Sequence, residues 1–146
     1  SVLPPGLYYF DGGTFRLQGN QTITGQDVLF YFGPGSSFDV VGNTRYVLSG
    51  VTDPAKLPYP GMRPGLVIFQ ARGNTSTLRM VGNSGAQVNG ILYVPDGTLD
   101  LRGNVSGTWA RGQIIVYRFT TNGNTDIRVE YVEHVTVTRP TVWLVQ

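Results

Sequence analysis

One seven-residue pattern returns along this chain: Ser or Thr, a large apolar residue, any residue, an apolar residue, any residue, Gly, Asn. The copies are Thr14-Phe15-Arg16-Leu17-Gln18-Gly19-Asn20, Ser37-Phe38-Asp39-Val40-Val41-Gly42-Asn43, Thr77-Leu78-Arg79-Met80-Val81-Gly82-Asn83 and Thr98-Leu99-Asp100-Leu101-Arg102-Gly103-Asn104. A degenerate fifth reads Thr125-Asp126-Ile127-Arg128-Val129. The Gly-Asn pairs lie 23, 40 and 21 residues apart. A unit this short cannot bury an apolar face alone, so its copies must stack.

A second element follows in step, a Gly and then an apolar run. Gly25 leads to Val28-Leu29-Phe30-Tyr31-Phe32, Gly65 to Leu66-Val67-Ile68-Phe69, Gly90 to Ile91-Leu92-Tyr93-Val94, and Gly112 to Ile114-Ile115-Val116-Tyr117. In the first element apolar and polar residues alternate, which puts one strand face inward and one in water. The second is apolar at nearly every position and suits a strand covered on both faces, by a loop or a neighbouring chain. Gly-Asn is turn chemistry, because both residues tolerate positive φ.

A rung of about 20 residues with short strands and tight turns is the unit of a parallel β-helix. The sequence therefore predicts an all-β, right-handed parallel β-helix of about five rungs, in one domain spanning 1–146. The alternative is an antiparallel β-sandwich, with Gly-Asn making hairpin turns. Composition agrees: Gly 20, Pro 9, and only 14% charged residues. The repeat corners Gly19, Asn20, Gly42, Asn43, Gly82, Asn83, Gly103 and Asn104 are the structural sites, and the four Asn are placed to form a ladder of side-chain amides. Phe15, Leu17, Phe38, Val40, Leu78, Met80, Leu99 and Leu101 are expected inward. Arg16, Asp39, Arg79 and Asp100 are expected outward, as a column of alternating charge.

Residues 51–64 hold four prolines and no period. They read as an inserted surface loop lying over an apolar strand. Residues 127–146 read as two strands broken at Pro140, beyond the last rung. They either cap the solenoid or add to a neighbour's open edge. The opening Ser1-Val2-Leu3-Pro4-Pro5 reads as a mature or trimmed start.

Several stretches resemble bacterial pilus-assembly proteins of the tight-adherence (Flp) TadE/TadG-like and PilX-like type, in their C-terminal regions. These are Pro5-Gly6-Leu7-Tyr8-Tyr9-Phe10-Asp11-Gly12-Gly13-Thr14-Phe15, then Ile23-Thr24-Gly25-Gln26-Asp27-Val28-Leu29-Phe30-Tyr31. Asn89-Gly90-Ile91-Leu92-Tyr93-Val94-Pro95-Asp96-Gly97 and the closing Trp143-Leu144-Val145-Gln146 add to them. The resemblance implies an extracellular or cell-surface setting. The chain has no match to those relatives' N-terminal membrane helix or von Willebrand-type domain.

Chemistry is sparse. His134 is the only His, and there is no Cys. No catalytic residue, metal site or cofactor is expected. The acids Asp39 and Asp100 share a repeat position, but arginines alternate with them, so a charge column explains them better than polysaccharide hydrolysis does. Ten scattered arginines and Lys56 make no basic stripe, so no nucleic-acid partner is expected. No apolar run reaches the ~20 residues of a membrane helix. Tyr9, Tyr31, Trp109 and Trp143 are the candidate interface residues, because each middle aromatic of a trio points away from its neighbours and Trp favours interfaces. The expected function is structural: a surface protein that is pilus-associated or itself a filament subunit, pairing with itself or with other surface proteins. A carbohydrate-binding adhesin is the alternative, and a polysaccharide-acting enzyme comes third.

Overall fold

A computed structural model describes residues 1–57, 63–82, 85–104, 106–124 and 126–130. The chain is a parallel β-solenoid of about five turns. The first rung is β1 (Val2–Leu3), β2 (Gly6–Phe10) and β3 (Gly13–Gln18). The second is β4 (Thr22–Gly25), β5 (Val28–Phe32) and β6 (Ser36–Val41), and the third is β7 (Arg45–Ser49), β8 (Leu66–Gln70) and β9 (Thr77–Gly82). The fourth and fifth rungs are single long strands that turn through all three faces, β10 (Gln87–Gly103) and β11 (Ser106–Asn122). β12 (Asp126–Glu130) begins a sixth.

Every strand pairing among the described residues is parallel. The first face stacks β1, β4, β7, the starts of β10 and β11, and β12. The second stacks β2, β5, β8 and the middles of β10 and β11. The third stacks β3, β6, β9 and the ends of β10 and β11. Parallel stacking places equivalent residues in columns along the axis. Phe15, Phe38, Leu78, Leu99 and Phe119 form one column, and Leu17, Val40, Met80, Leu101 and Thr121 another. In these columns the residues of the second, third and fourth rungs are at most 1% exposed. They form the core that the period-two alternation predicts.

Two expectations about the repeat are corrected. The fifth copy is not 125–129. The partners of Leu99, Asp100 and Leu101 are Phe119, Thr120 and Thr121, so the copy ends at Gly123-Asn124. Residues 126–130 instead lie on β11 as the opening of another rung, so the segment continues the coil at first. Residues 131–146, with the capping or donor strands expected there, lie outside the described residues. The 40-residue spacing is one enlarged rung. Its loop starts at Gly50, forms a single 3-10 turn at Pro54–Lys56, and closes where the Gly65 N–H donates to the Val51 carbonyl. Val51 is buried and 52–56 are exposed, while 58–62 lie outside the described residues, so the described part leaves the coil as expected.

Glycine holds the corner between the third and first faces for a steric reason. Gly42 and Gly123 have φ of +81° and +106°, and a Cβ there would lie 3.1 and 2.8 Å from the carbonyl oxygens of Gly19 and Gly103. Asn20, Asn43 and Asn104 are exposed beside these corners, and Asn83 lies outside the described residues. Gly25 does not play the part of Gly65, Gly90 and Gly112. It sits inside the first face between Leu3 and Leu48, and the second rung turns the next corner with Asp27 at φ 55°.

At the corner between the second and third faces, side chains meet several buried backbone groups. Buried Asn74 donates to the carbonyls of Gly33 (2.7 Å) and Ser36 (2.9 Å), and accepts from the Ser76 N–H (3.0 Å). Ser36 in turn links the first two rungs, accepting from the Gly12 N–H and donating to the Phe10 carbonyl.

Candidate interaction surface

The second face differs from the others because its strands are apolar outside as well as inside. Tyr9, Tyr31, Phe69, Tyr93 and Ile115 occupy one outward column. Tyr9 and Tyr31 are 5.0 Å apart at 13°, Tyr31 and Phe69 5.3 Å at 9°, and Phe69 and Tyr93 5.0 Å at 27°. Rings this close must overlap face to face, so they turn edges and hydroxyls to solvent rather than broad faces. Tyr9 stands at the open end and is 58% exposed, while Tyr31 is half-buried between two rings. Of the four candidate interface residues, the structure brings Tyr9 and Tyr31 together.

Trp109 is corrected from interface to core. It is fully buried, as is Ala110 beside it, because the strand register slips there and turns two successive residues inward. Its indole N–H donates to the Tyr46 hydroxyl, and burial pushes the Tyr46 pKa up, against a lowering effect of that hydrogen bond. Trp143 lies outside the described residues.

The third face carries the expected charge column, Arg16, Asp39, Arg79 and Asp100 in register. Arg16 approaches Asp39 to 2.8 Å, Arg79 lies 3.7 Å from Asp39 and 3.5 Å from Asp100, and Arg102 reaches Asp100 at 2.7 Å. The acids point outward but are not solvated as expected. Asp39 is 8% and Asp100 6% exposed, because the long arginine stems lie over them. Thr120 adds a hydroxyl to Asp100 at 3.2 Å. Both carboxylates are thus committed to arginines, and no group of three metal-ligating side chains occurs among the described residues.

Within residues 1–146 the first rung forms one edge of the solenoid. β1, β2 and β3 each pair with a strand on one side only. Its inward residues Leu3, Tyr8, Phe10, Phe15 and Leu17 are only partly buried, and Val2 is 80% exposed. Their second-rung counterparts Phe30, Phe32, Phe38 and Val40 are at most 2% exposed.

No family model, no curated protein and no solved structure matches the chain. Among the described residues, no helix is long and apolar enough to cross a membrane.

Proposed function

We propose that this chain is a structural interaction module, a rigid β-solenoid that joins a larger assembly by stacking rung upon rung. The observation that carries this reading is the uninterrupted parallel stacking: each rung templates the next, and the rung of β1, β2 and β3 presents the same edge and apolar columns to whatever precedes it, in this chain or in another. Unpaired parallel edges of this kind are templates for another chain. The setting proposed is the bacterial cell surface, with pilus or filament proteins as partners, on the strength of the motif resemblance.

Recognition of surface carbohydrate has less to stand on, because stacking on a sugar needs a free ring face and the inner rings have theirs occupied by one another. Polysaccharide chemistry has less still, since Asp39 and Asp100 are tied into ion pairs. The test is amide hydrogen exchange on the isolated chain and on the assembly from its native source. Backbone amides of β1, β2 and β3 should gain protection in the assembly. Equal exchange in both states would rule the reading out.

A further inference from the structure

We infer that the third face binds an anionic glycan, with an acid group of the glycan on Arg79 and its hydroxyls on the Ser and Thr residues beside that arginine. The site lies on a flank of the solenoid, so it goes beyond the stacking reading and depends on neither end of the coil. It also needs no free ring face, because charge and hydroxyl groups make the contacts.

Register gathers on this face what the sequence scatters. Its first four rungs carry Arg16, Arg79 and Arg102, with side chains 60%, 40% and 43% exposed. The two acids among them, Asp39 and Asp100, are nearly covered. Solvent therefore meets guanidinium groups above and carboxylates beneath, and the outer surface is positive. Two of the three arginines suffice to hydrogen-bond the two acids. Arg16 donates to Asp39 at 3.0 Å, and Arg102 donates to Asp100 at 2.7 Å. Arg79 lies between the acids at 3.7 and 3.5 Å, beyond ordinary hydrogen-bond lengths, and its buried Nε–H has no hydrogen-bond partner. A guanidinium carries five N–H donors in a planar fork, so Arg79 keeps terminal donors for a carboxylate or sulfate group.

A row of hydroxyls runs beside this column. Thr14, Ser37, Thr77 and Thr98 follow one another in register, each two residues before a member of the charged column. Thr14 and Ser37 share a hydrogen bond of 2.8 Å, and Thr77 is exposed. The two columns bound a cleft of about 180 Å³, with Thr14, Arg16, Ser37, Asp39, Thr77 and Arg79 among its lining residues. Ser and Thr hydroxyls both donate and accept, which suits the hydroxyls of a sugar. Charge selects an acidic one. Arg16 and Arg79 stand two rungs apart, about 10 Å at the strand spacing of a sheet, so acid groups at that interval along a polymer meet both. A nucleic acid fits less well, because no aromatic side chain points outward from β3, β6 or β9 to stack a base, Phe15 and Phe38 being turned inward.

The test is titration of the isotope-labelled chain at low salt, read by amide chemical shifts. The probes are oligogalacturonate, sulfated dextran, neutral dextran and single-stranded oligothymidylate. At least one of the two acidic glycans should move the amides of β3, β6 and β9, and the one that does so names the acid group. Neutral dextran should leave them in place. Arg79→Gln should weaken binding roughly five- to ten-fold and Thr77→Val roughly two- to three-fold. Arg79→Lys keeps the charge between the two acids and loses the planar fork, so it should fold like the parent chain and still bind more weakly. Arg45→Gln removes the same charge from the first face and should leave binding unchanged. Undiminished binding by the Arg79 variants, or an equal loss in Arg45→Gln, would reduce the effect to net charge and overturn the site. Neutral dextran bound as tightly as the acidic glycans would eliminate the acid group, and oligothymidylate bound as tightly would eliminate the glycan. Unmoved amides with every probe would refute the inference outright.

Discussion

Trp109 donates its indole N–H to the hydroxyl oxygen of Tyr46, 2.8 Å away, in the interior of the solenoid. The two residues belong to the fifth and third rungs, so the bond reaches across the fourth. It can do so because the fourth rung places Ala86 at that level, next to Gln87, the partner of Val47. A small residue between two large ones lets the columns interlock rather than merely stack.

Tyr46→Phe should therefore cost about 1–3 kcal/mol, since it leaves a buried indole N–H without an acceptor. The same pair gives a pH dependence. Burial raises the folded-state pKa of Tyr46, so above about pH 10, where an unfolded tyrosine ionises, the folded state retains a proton that the unfolded state has lost. This contribution is whole below that pH and declines as pH rises beyond it. Urea titrations from neutral pH to pH 11 should show the decline in the parent chain and a shallower one in Tyr46→Phe.

Asn74→Ala should destabilise by roughly 2–4 kcal/mol, because two carbonyls and one N–H lose their partner in a buried corner. Asn74-Thr75-Ser76 also has the form of a glycosylation acceptor, and a glycan there would have to displace this buried side chain, so the folded chain should carry none. Chemical denaturation measures the first statement, and intact mass after expression in a glycosylating host measures the second.

Gly112→Ala and Gly6→Ala form a matched pair. Both residues have φ near +150°, at +144° and +151°, so the intrinsic strain of adding a side chain is alike. Only Gly112 has a neighbouring rung in the way. Gly6→Ala should cost about 1–3 kcal/mol, as backbone strain alone does. Gly112→Ala should cost clearly more or prevent folding. Equal thermal shifts for the two would contradict the close rung spacing.

Arg79→Ala should cost about 1–2 kcal/mol, above the ~0–1 of an exposed ion pair, because both of its acids are nearly covered. Added salt should recover little of the loss. Leu101→Ala, in the sealed part of the third face, should cost about 2–5 kcal/mol. Denaturation of both variants at low and high ionic strength separates a screened loss from a packing loss.

The third face was legible because it obeys two simple rules at once. Alternation placed Phe38 and Val40 inside with Asp39 between them, and Gly42 marked the corner. The fifth rung escaped because Thr121 replaces the second apolar residue there. Gly123-Asn124, about 20 residues after Gly103-Asn104, was the remaining signal. Trp109 was misread because a register slip turns two neighbours inward, which strict alternation cannot express. Asp27 was missed as a corner residue because it stands in a conformation that glycine usually fills. Tyr9 and Tyr31 could be placed on the outside from period two alone. That their rings lie against one another depends on parallel register, which a single strand does not encode.

The parallel ladders have a mechanical consequence. Hydrogen bonds between rungs run roughly along the solenoid axis, so a pull on its two ends loads the rung interfaces in series. The weakest interface gives way first, and the chain should lengthen in steps. Ordinary rungs repeat every 20–23 residues, and each would release about 65–85 Å of extended chain. The third rung, with its loop already outside the coil, would give a longer step and serve as an internal mark in a single-molecule force trace.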